Sequence, residues 1–600
     1  MTYEFVLLYI LGLVSSIITV PNLKGAHMYE NAPWELFVDV TVVCLLLFLI
    51  PKALKTGKRS IPLRGIITTI LFIFTYTLYI IDTFCFVKFG TTINPSMLLL
   101  MGETNGNEAS EFLNTYVTAD LLWSEVGIIM LVPLAHIIIV ATKWRYNKKR
   151  HVMQKHNMRK RNINKKIYIR IAVAVIMSCL FAWSMSMCWE NKTLFYKTMS
   201  HDTVGDVEHD LAVKPHVELY QPPYRLVFSI YCNRLASQQL DRLIAKTNDV
   251  QVDSCSVKSK NIVLIIGESC NLRHSQLYGY EKNNTPNQVL LEQTGMLTKM
   301  SDAIAPWNLT SFVFKHLMTT YCVGDTADWC DYPLFGQLFR EAGYTVSFFT
   351  NQFLPQAKEA VYDFSGGFFI NNPELTKKQF DVRNDRLHVF DEGLLKDYEE
   401  SYTPHAIEEG KPTLTIFHMM GQHVNYRIRC PNSKKKWGRN DYPEEKDLTE
   451  KRKQTMADYD NATWYNDSVV NQIIERFKDK DAIIIYLSDH GEEVFPEGAR
   501  HFHGRMHDAN ITRRLASEEF RIPMWFYCTE EYTRNHPETV AMIKAVKDKP
   551  YMSDAVSHLL LGLAGIHCPY YRADYDLLST KYNDKRKRLL KHTVDYDTIK

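Results

Sequence analysis

This 600-residue sequence lacks any large excess of positive or negative charge: 70 lysines and arginines stand against 67 aspartates and glutamates, for a formal net charge of +3. That balance excludes the basic field of a nucleic-acid-binding surface, so no nucleic-acid partner is expected. Also missing is any CxxC or Cys/His spacing of the structural-zinc kind, although 12 cysteines are present. Met1-Thr2-Tyr3-Glu4 lacks the basic run that opens a secretion signal, and no small-residue cleavage site follows the apolar stretch behind it. That first stretch is therefore read as retained. Between Thr91 and Asp120 there is no lysine or arginine, while Glu103, Glu108, Glu111 and Asp120 are there.

The first third of the chain is instead rich in apolar runs. Five precede Trp189: Phe5 to Val20, Leu36 to Ile50, Ile66 to Val87, Leu121 to Ala141, and Ile167 to Met187. Each approaches the roughly 20 residues that a helix needs to cross a bilayer. Flanking charge argues against their being buried core helices. Lys52, Lys55, Lys58, Arg59 and Arg64 separate the second run from the third, and eleven basic residues between Lys143 and Lys166 separate the fourth from the fifth. By the positive-inside rule both loops are cytoplasmic and the acidic segment lies on the other face. Five crossings then put the N-terminus inside and everything after Trp189 outside. An exported compartment permits disulfides, and Cys322 with Cys330 is a short-loop candidate pair.

After a mixed segment containing Pro222-Pro223 and a helical pattern at Leu235, Leu240, Leu243 and Ile244, apolar runs alternate with helical stretches such as Val469 to Phe477. The runs are Asn261 to Ile266, Thr345 to Thr350, Thr413 to His418, Ala482 to Leu487, and Pro523 to Cys528. This alternation predicts a mostly parallel sheet with helices on both faces. The division expected is a helical membrane part over 1–188, a bridging segment at the membrane surface over 189–260, and an exported α/β domain over 261–600.

In such folds ligands bind beyond the carboxyl ends of the strands. Glu268 follows the first run, and Asp489 with His490 follows the run that ends at Leu487. Two carboxylates and an imidazole at one sheet edge make a reasonable oxygen/nitrogen site for zinc. An Asp-His pair alone is more often a turn or a helix cap. Thr310, in Pro306-Trp-Asn-Leu-Thr-Ser-Phe312, stands at the start of an apolar helical run, where backbone N–H groups favour an anion. Spacing alone leaves it an N-cap; beside a metal it would be a nucleophile toward phosphorus.

The stretches Asn261-Ile-Val-Leu-Ile-Ile-Gly-Glu-Ser269, Arg273-His-Ser-Gln-Leu-Tyr-Gly-Tyr280 and Thr285-Pro286 resemble the opening motif of bacterial phosphoethanolamine transferases, the family that includes the mobile colistin resistance enzymes. The resemblance continues through Thr310, His418-Met-Met-Gly-Gln-His423, and Ser488-Asp-His-Gly-Glu492 to His501-Phe-His503-Gly504, and takes in the five spans. It implies an alkaline phosphatase/sulfatase-type domain in which Glu268, Thr310, Asp489 and His490 bind catalytic zinc and Thr310 is the nucleophile. His423 and His503 would contact the phosphoryl group, donate a proton to the leaving group, or bind a second zinc. It further implies a phosphatidylethanolamine donor, an acceptor such as lipid A or another envelope glycan, and a multi-pass place in the bacterial inner membrane with the catalytic domain periplasmic.

Two departures stand out. Pro306 and His316 occupy positions near the nucleophile where close family members have cysteines, so that disulfide is absent. A substrate-binding lysine of the family has only Lys358 as a weak counterpart, with Thr350-Asn351-Gln352 following the relevant strand. Among alternatives, a lipoteichoic acid synthase-type phosphoglycerol transferase shares the plan, but the segment from Arg273 to Tyr280 favours phosphoethanolamine. A sulfatase needs Cys-x-Pro-x-Arg or its serine equivalent, which neither Cys270-Asn-Leu272 nor the stretch from Pro306 to His316 supplies. A catalytically silent envelope-binding protein would not need every candidate ligand.

Overall fold

The computed structural model describes residues 3–20, 31–53, 61–89, 92–95, 98, 117, 119–153, 163–204, 206–207, 219–354, 369–401, 403–505 and 511–599. Glu103, Glu108, Glu111 and Lys358, and part of each basic loop, lie outside these residues. Two compact units are present, Met1–Leu235 and Ala236–Lys600.

The first unit is helical: α1 (Tyr3–Thr19), α2 (Ala32–Ala53), α3 (Ile61–Phe89), α4 (Glu125–Met153), α5 (Ile163–Met187), α6 (Trp189–Thr198) and the first half of α7 (Pro222–Asn248). Among the described residues, three segments are long and apolar enough to cross a bilayer, Ala32–Leu49, Gly65–Lys88 and Glu125–Tyr146, and the bent pair α5 and α6 makes a fourth if it counts as one span. Helix α1 is apolar over 17 residues. At 1.5 Å per residue it covers about 26 Å of a hydrocarbon core roughly 30 Å thick. Leu8, Leu11, Val40, Cys44, Tyr79 and Ile129 share the core of this unit. Several of the polar groups inside it are paired, which offsets their loss of water. Gln221 Nε2 donates to Ser16 Oγ at 2.7 Å, Tyr79 donates to Gln221 Oε1 at 2.6 Å, and Arg225 pairs with Asp82.

The second unit is built on seven strands: β1 (Asn261–Gly267), β2 (Leu297–Lys299), β3 (Thr345–Thr350), β4 (Val382–Arg383), β5 (Thr413–His418), β6 (Ala482–Ser488) and β7 (Met524–Cys528). Their spatial order is β2-β7-β6-β1-β5-β3-β4. Strands β6, β1, β5, β3 and β4 pair in parallel, while β7 runs antiparallel to both β6 and β2. Every residue of β1, β5 and β6 is buried, as a strand covered on both faces must be. The pleat sends Ile262, Leu264 and Ile266 into one core and Val263 and Ile265 into another. Helix α8 (Thr310–Met318) packs into the first core through Val313, Phe314 and Leu317. The 28-residue α9 (Glu450–Phe477) packs into the second through Val469, Val470, Ile473, Ile474 and Phe477. Leu243 of α7 is buried in the first core, with Leu240 and Ile244 against it, so this end of α7 packs on the sheet domain.

All 12 cysteines are free thiols, which overturns the Cys322–Cys330 pairing. Cys322 Sγ faces the Asp554 carbonyl and Cys330 Sγ faces Asp328, and burial, the leading cause for each, raises both thiols above their ordinary range. Their spacing in sequence does not carry the direction of their thiols.

A candidate metal centre at the carboxyl edge of the sheet

Strands β1 and β6 are neighbours in parallel register, with Gly267 opposite Ser488. The next residue on each is Glu268 and Asp489, so pairing alone delivers two carboxylates to one point on the edge. The Asp489 N–H donates to the Gly267 carbonyl at 2.9 Å, which carries the register past the strand ends. Glu268, Asp489 and His490 lie with one ligand atom each within 4.8 Å of one another, all fully buried. The crossing of the β5–α9 loop over this edge leaves no room for a side chain at Gly421: a Cβ there would sit 3.0 Å from the Glu268 backbone nitrogen and oxygen, and its φ is +44°.

Thr310 is the first residue of α8, and the N-cap is Leu309, which makes no side-chain cap bond. The Thr310 hydroxyl does not cap the helix. Its Oγ1 lies 3.1 Å from Glu268 Oε2 and 3.2 Å from His490 Nε2. The other Glu268 oxygen accepts from Ser269 Oγ at 2.6 Å. Asp489 Oδ1 accepts from the backbone of Ser269 at 3.0 Å and of His490 at 2.7 Å, leaving Oδ2 buried and facing His490 Nε2 at 3.2 Å. His490 Nδ1–H donates to the Gly491 carbonyl at 2.7 Å, which fixes the tautomer and turns the Nε2 lone pair into the cluster.

Burial would raise Glu268, but its basic neighbours, His490 first and then His423 and Arg505, outweigh it and hold Glu268 below the ordinary carboxylate range. Burial, followed by the Glu268 charge, pushes Asp489 well above it. Burial, then Arg505, brings His490 down to about 3, so the imidazole is neutral. Two carboxylates and a neutral imidazole lone pair turned on one another favour a positive charge between them, either a proton on Asp489 or a cation. Arg505 Nη1 already donates to His490 Nε2 at 2.8 Å, which brings positive charge to this point. The oxygen/nitrogen donor set and the hydrogen-bonded outer atoms of each ligand fit a divalent ion such as zinc.

The structure thus brings together Glu268, Thr310, Asp489 and His490. It places His423 near enough for its charge to lower Glu268, with Arg429 Nη2 at 3.4 Å from His423 Nδ1. His503 lies on a short ladder with Val494, exposed, its ring against Tyr426 at 5.6 Å and Phe495 at 5.2 Å. Sequence reasoning missed Gln352 and Arg505. Gln352 Nε2 donates to Glu268 Oε2 at 3.0 Å and to the Met419 carbonyl at 2.7 Å, orienting the carboxylate from the end of β3. Its place directly after a strand was the available signal. Gln352→Ala is expected to weaken zinc binding by about 10- to 100-fold, read by competition with a chelator.

Residues 260–566 match the family described as Sulfatase. The chain belongs to the sulfatase family. It is 24% identical over 606 residues to the phosphoethanolamine transferase EptC of Escherichia coli strain K12, across 98% of this chain and 93% of that protein. It is 24% identical over 535 residues to the phosphoethanolamine transferase CptA of Salmonella typhimurium, across 86% and 83%. Among solved structures it resembles the integral membrane protein lipooligosaccharide phosphoethanolamine transferase A (EptA) of Neisseria meningitidis, with TM-score 0.53 and 16% identity over 95% of this chain and 98% of that one. That likeness shows the fold: a helical N-terminal region followed by a sulfatase-family domain with a mostly parallel sheet.

Proposed function

We propose that this chain is a membrane-embedded enzyme that transfers phosphoethanolamine from phosphatidylethanolamine to an envelope acceptor such as lipid A or another surface glycan. One observation carries the reading: a buried threonine hydroxyl, at the first position of a helix, is aimed at a carboxylate–imidazole cluster instead of at its own backbone. The names of relatives aligned along nearly the whole chain support the transferred group.

Glu268, Asp489 and His490 would hold zinc beside Thr310. When bound, zinc supplies Lewis acidity, which favours negative charge on neighbouring oxygens. The chain's own residues do the rest. Thr310 Oγ attacks phosphorus, its proton passing to a nearby base; the bond from phosphorus to the glycerol oxygen breaks, and diacylglycerol leaves with a proton supplied by His423 or His503. The first-turn N–H groups of α8 stabilise the charge that develops on the phosphoryl oxygens. An acceptor oxygen then attacks the phosphothreonine ester, giving up its proton as Thr310 Oγ regains one. Intact-mass analysis of the full-length protein incubated with phosphatidylethanolamine tests this, with a phosphoethanolamine adduct on the Thr310 peptide as the expected product. Head groups released as phosphoglycerol would point to the lipoteichoic acid synthase type instead.

The reading assigns 1–188 to the membrane with five crossings, counting α1 and α5, 189–260, which includes α6, to the bridge, and 261–600 to the periplasmic catalytic domain. A bilayer-resident donor makes such anchoring reasonable. A reporter active only outside the cytoplasm is expected to be active when fused after Trp189 and silent when fused between Lys148 and Lys166. The reverse pattern would overturn the topology and the periplasmic location together.

A further inference from the structure

Just before β7 the chain winds through Ala516–Phe520 as a π-helical turn. Such turns are rare and recur at functional sites. This one carries two consecutive glutamates, Glu518 and Glu519, 3% and 0% exposed. Burying adjacent carboxylates is costly unless specific partners hold them. Their partners therefore say what the turn does.

Glu519 Oε2 accepts from Asn308 Nδ2 at 2.5 Å, and Asn308 lies two residues before Thr310. The Glu519 carbonyl accepts from Gly491 N at 2.8 Å, immediately after His490, and the Phe520 carbonyl accepts from Ala305 N at 2.8 Å. Glu518 Oε2 accepts from Asn271 Nδ2 at 2.8 Å, and Glu518 Oε1 lies 3.2 Å from Arg273 Nε, on the loop that follows Glu268. Gly491 passes so close that a Cβ would stand 2.2 Å from the Glu518 carbonyl oxygen. The last carbonyls of a helical turn have no partner within it. Here the loops of the metal centre supply the partners.

We propose that the π-turn Ala516–Phe520 is the positioning element of the site, and that Glu519, acting through Asn308, holds Thr310 in line with Glu268 and His490. The three loops that deliver Glu268, Thr310 and Asp489-His490 come from distant parts of the sequence. Each is tied to this one turn. Glu519 touches none of the reacting atoms, so it is a positioning residue, and its loss displaces the nucleophile without removing it. A displacement of an ångström in a reacting group costs on the order of 100-fold in rate.

This inference rests on the transfer reading, and the experiment separates the two. Full-length protein in detergent is mixed with phosphatidylethanolamine, and formation of the Thr310 adduct is followed by intact mass in a single turnover, alongside zinc content and melting temperature. Glu519→Ala is expected to slow adduct formation by about 100-fold while zinc content and donor KM stay at the wild-type level. Glu519→Gln keeps an oxygen that accepts from Asn308 and is expected to retain most of the rate. Asn308→Ala is expected to match Glu519→Ala, and the double variant to be no slower than either, because both remove one contact. A wild-type rate in folded Glu519→Ala, additive losses in the double variant, or a loss that simply follows falling zinc content would each overturn the proposal. Should Glu519→Ala fail to fold, Asn308→Ala against Glu519→Gln gives the same contrast. Absence of any adduct on the wild-type protein would overturn the transfer reading together with this one, whereas a wild-type adduct with no Glu519 or Asn308 effect would overturn this one alone.

Discussion

Asp489→Ala is expected to lose its zinc and roughly a thousandfold of activity, since about 4 kcal/mol of transition-state stabilisation is within what a catalytic metal supplies. The same substitution is expected to leave the zinc-free protein at least as stable as wild type. Asp489 sits fully buried beside Glu268, and burial together with that neighbouring charge raises its pKa well above the ordinary range. A carboxyl whose folded pKa is raised keeps its proton longer in the native state than in the unfolded one. Native stability then falls as pH rises from the ordinary carboxylate range toward the raised value. Removing Asp489 removes that slope; adding zinc to wild type offsets it by mass action. Melting curves with and without zinc, across pH, separate the outcomes. A zinc-dependent rise in wild type that is missing in Asp489→Ala supports the assignment. Full zinc content or full activity in Asp489→Ala would reject it.

Those candidate ligands were legible because the strands that deliver them are short, largely apolar runs, and the first charged residue after each falls at the edge where parallel sheets bind ligands. The register that sets Gly267 opposite Ser488 then requires Glu268 and Asp489 to meet. Strand direction was less legible. The run ending at Cys528 reads like the others, yet β7 is antiparallel to β6, and periodicity carries no information on direction. In the helical region hydropathy marks five runs, but α1 is 17 residues long and α5 bends into α6, so length sets fewer clear spans than composition suggests. The orienting groups were hidden for another reason. Asn308 and Glu519 are 211 residues apart, and Gln352 and Glu268 are 84 apart, so only the folded sheet brings them into contact. His423 and His503 came from motif resemblance alone, and the described contacts separate them: one shifts Glu268, while the other packs on Tyr426 and Phe495.

Thr310→Ala is expected to abolish transfer while leaving a folded, zinc-containing protein. A capping threonine would lose about 1 kcal/mol of stability and no chemistry when truncated. The structure removes that explanation, because Leu309 occupies the N-cap and the Thr310 hydroxyl bonds to Glu268 and His490. Deleting the hydroxyl therefore costs about one hydrogen bond of stability, roughly 1 kcal/mol, and relieves Glu268 of one donor out of three. What it removes is the α8 hydroxyl that faces Glu268 and His490, which the proposed route uses to attack phosphorus. With a covalent route no phosphoenzyme can form, so the loss is total rather than graded. Thr310→Ser keeps the oxygen but gives up the methyl group that limits χ1, so a fraction of turnover is expected to survive. Circular dichroism and zinc content establish that each variant is folded and loaded. The adduct measured by intact mass should then be full in wild type, reduced in rate in Thr310→Ser, and missing in Thr310→Ala. Wild-type-like transfer by folded Thr310→Ala would send the nucleophile elsewhere, and Ser269, whose hydroxyl already donates to Glu268 at 2.6 Å, would be the next residue to test.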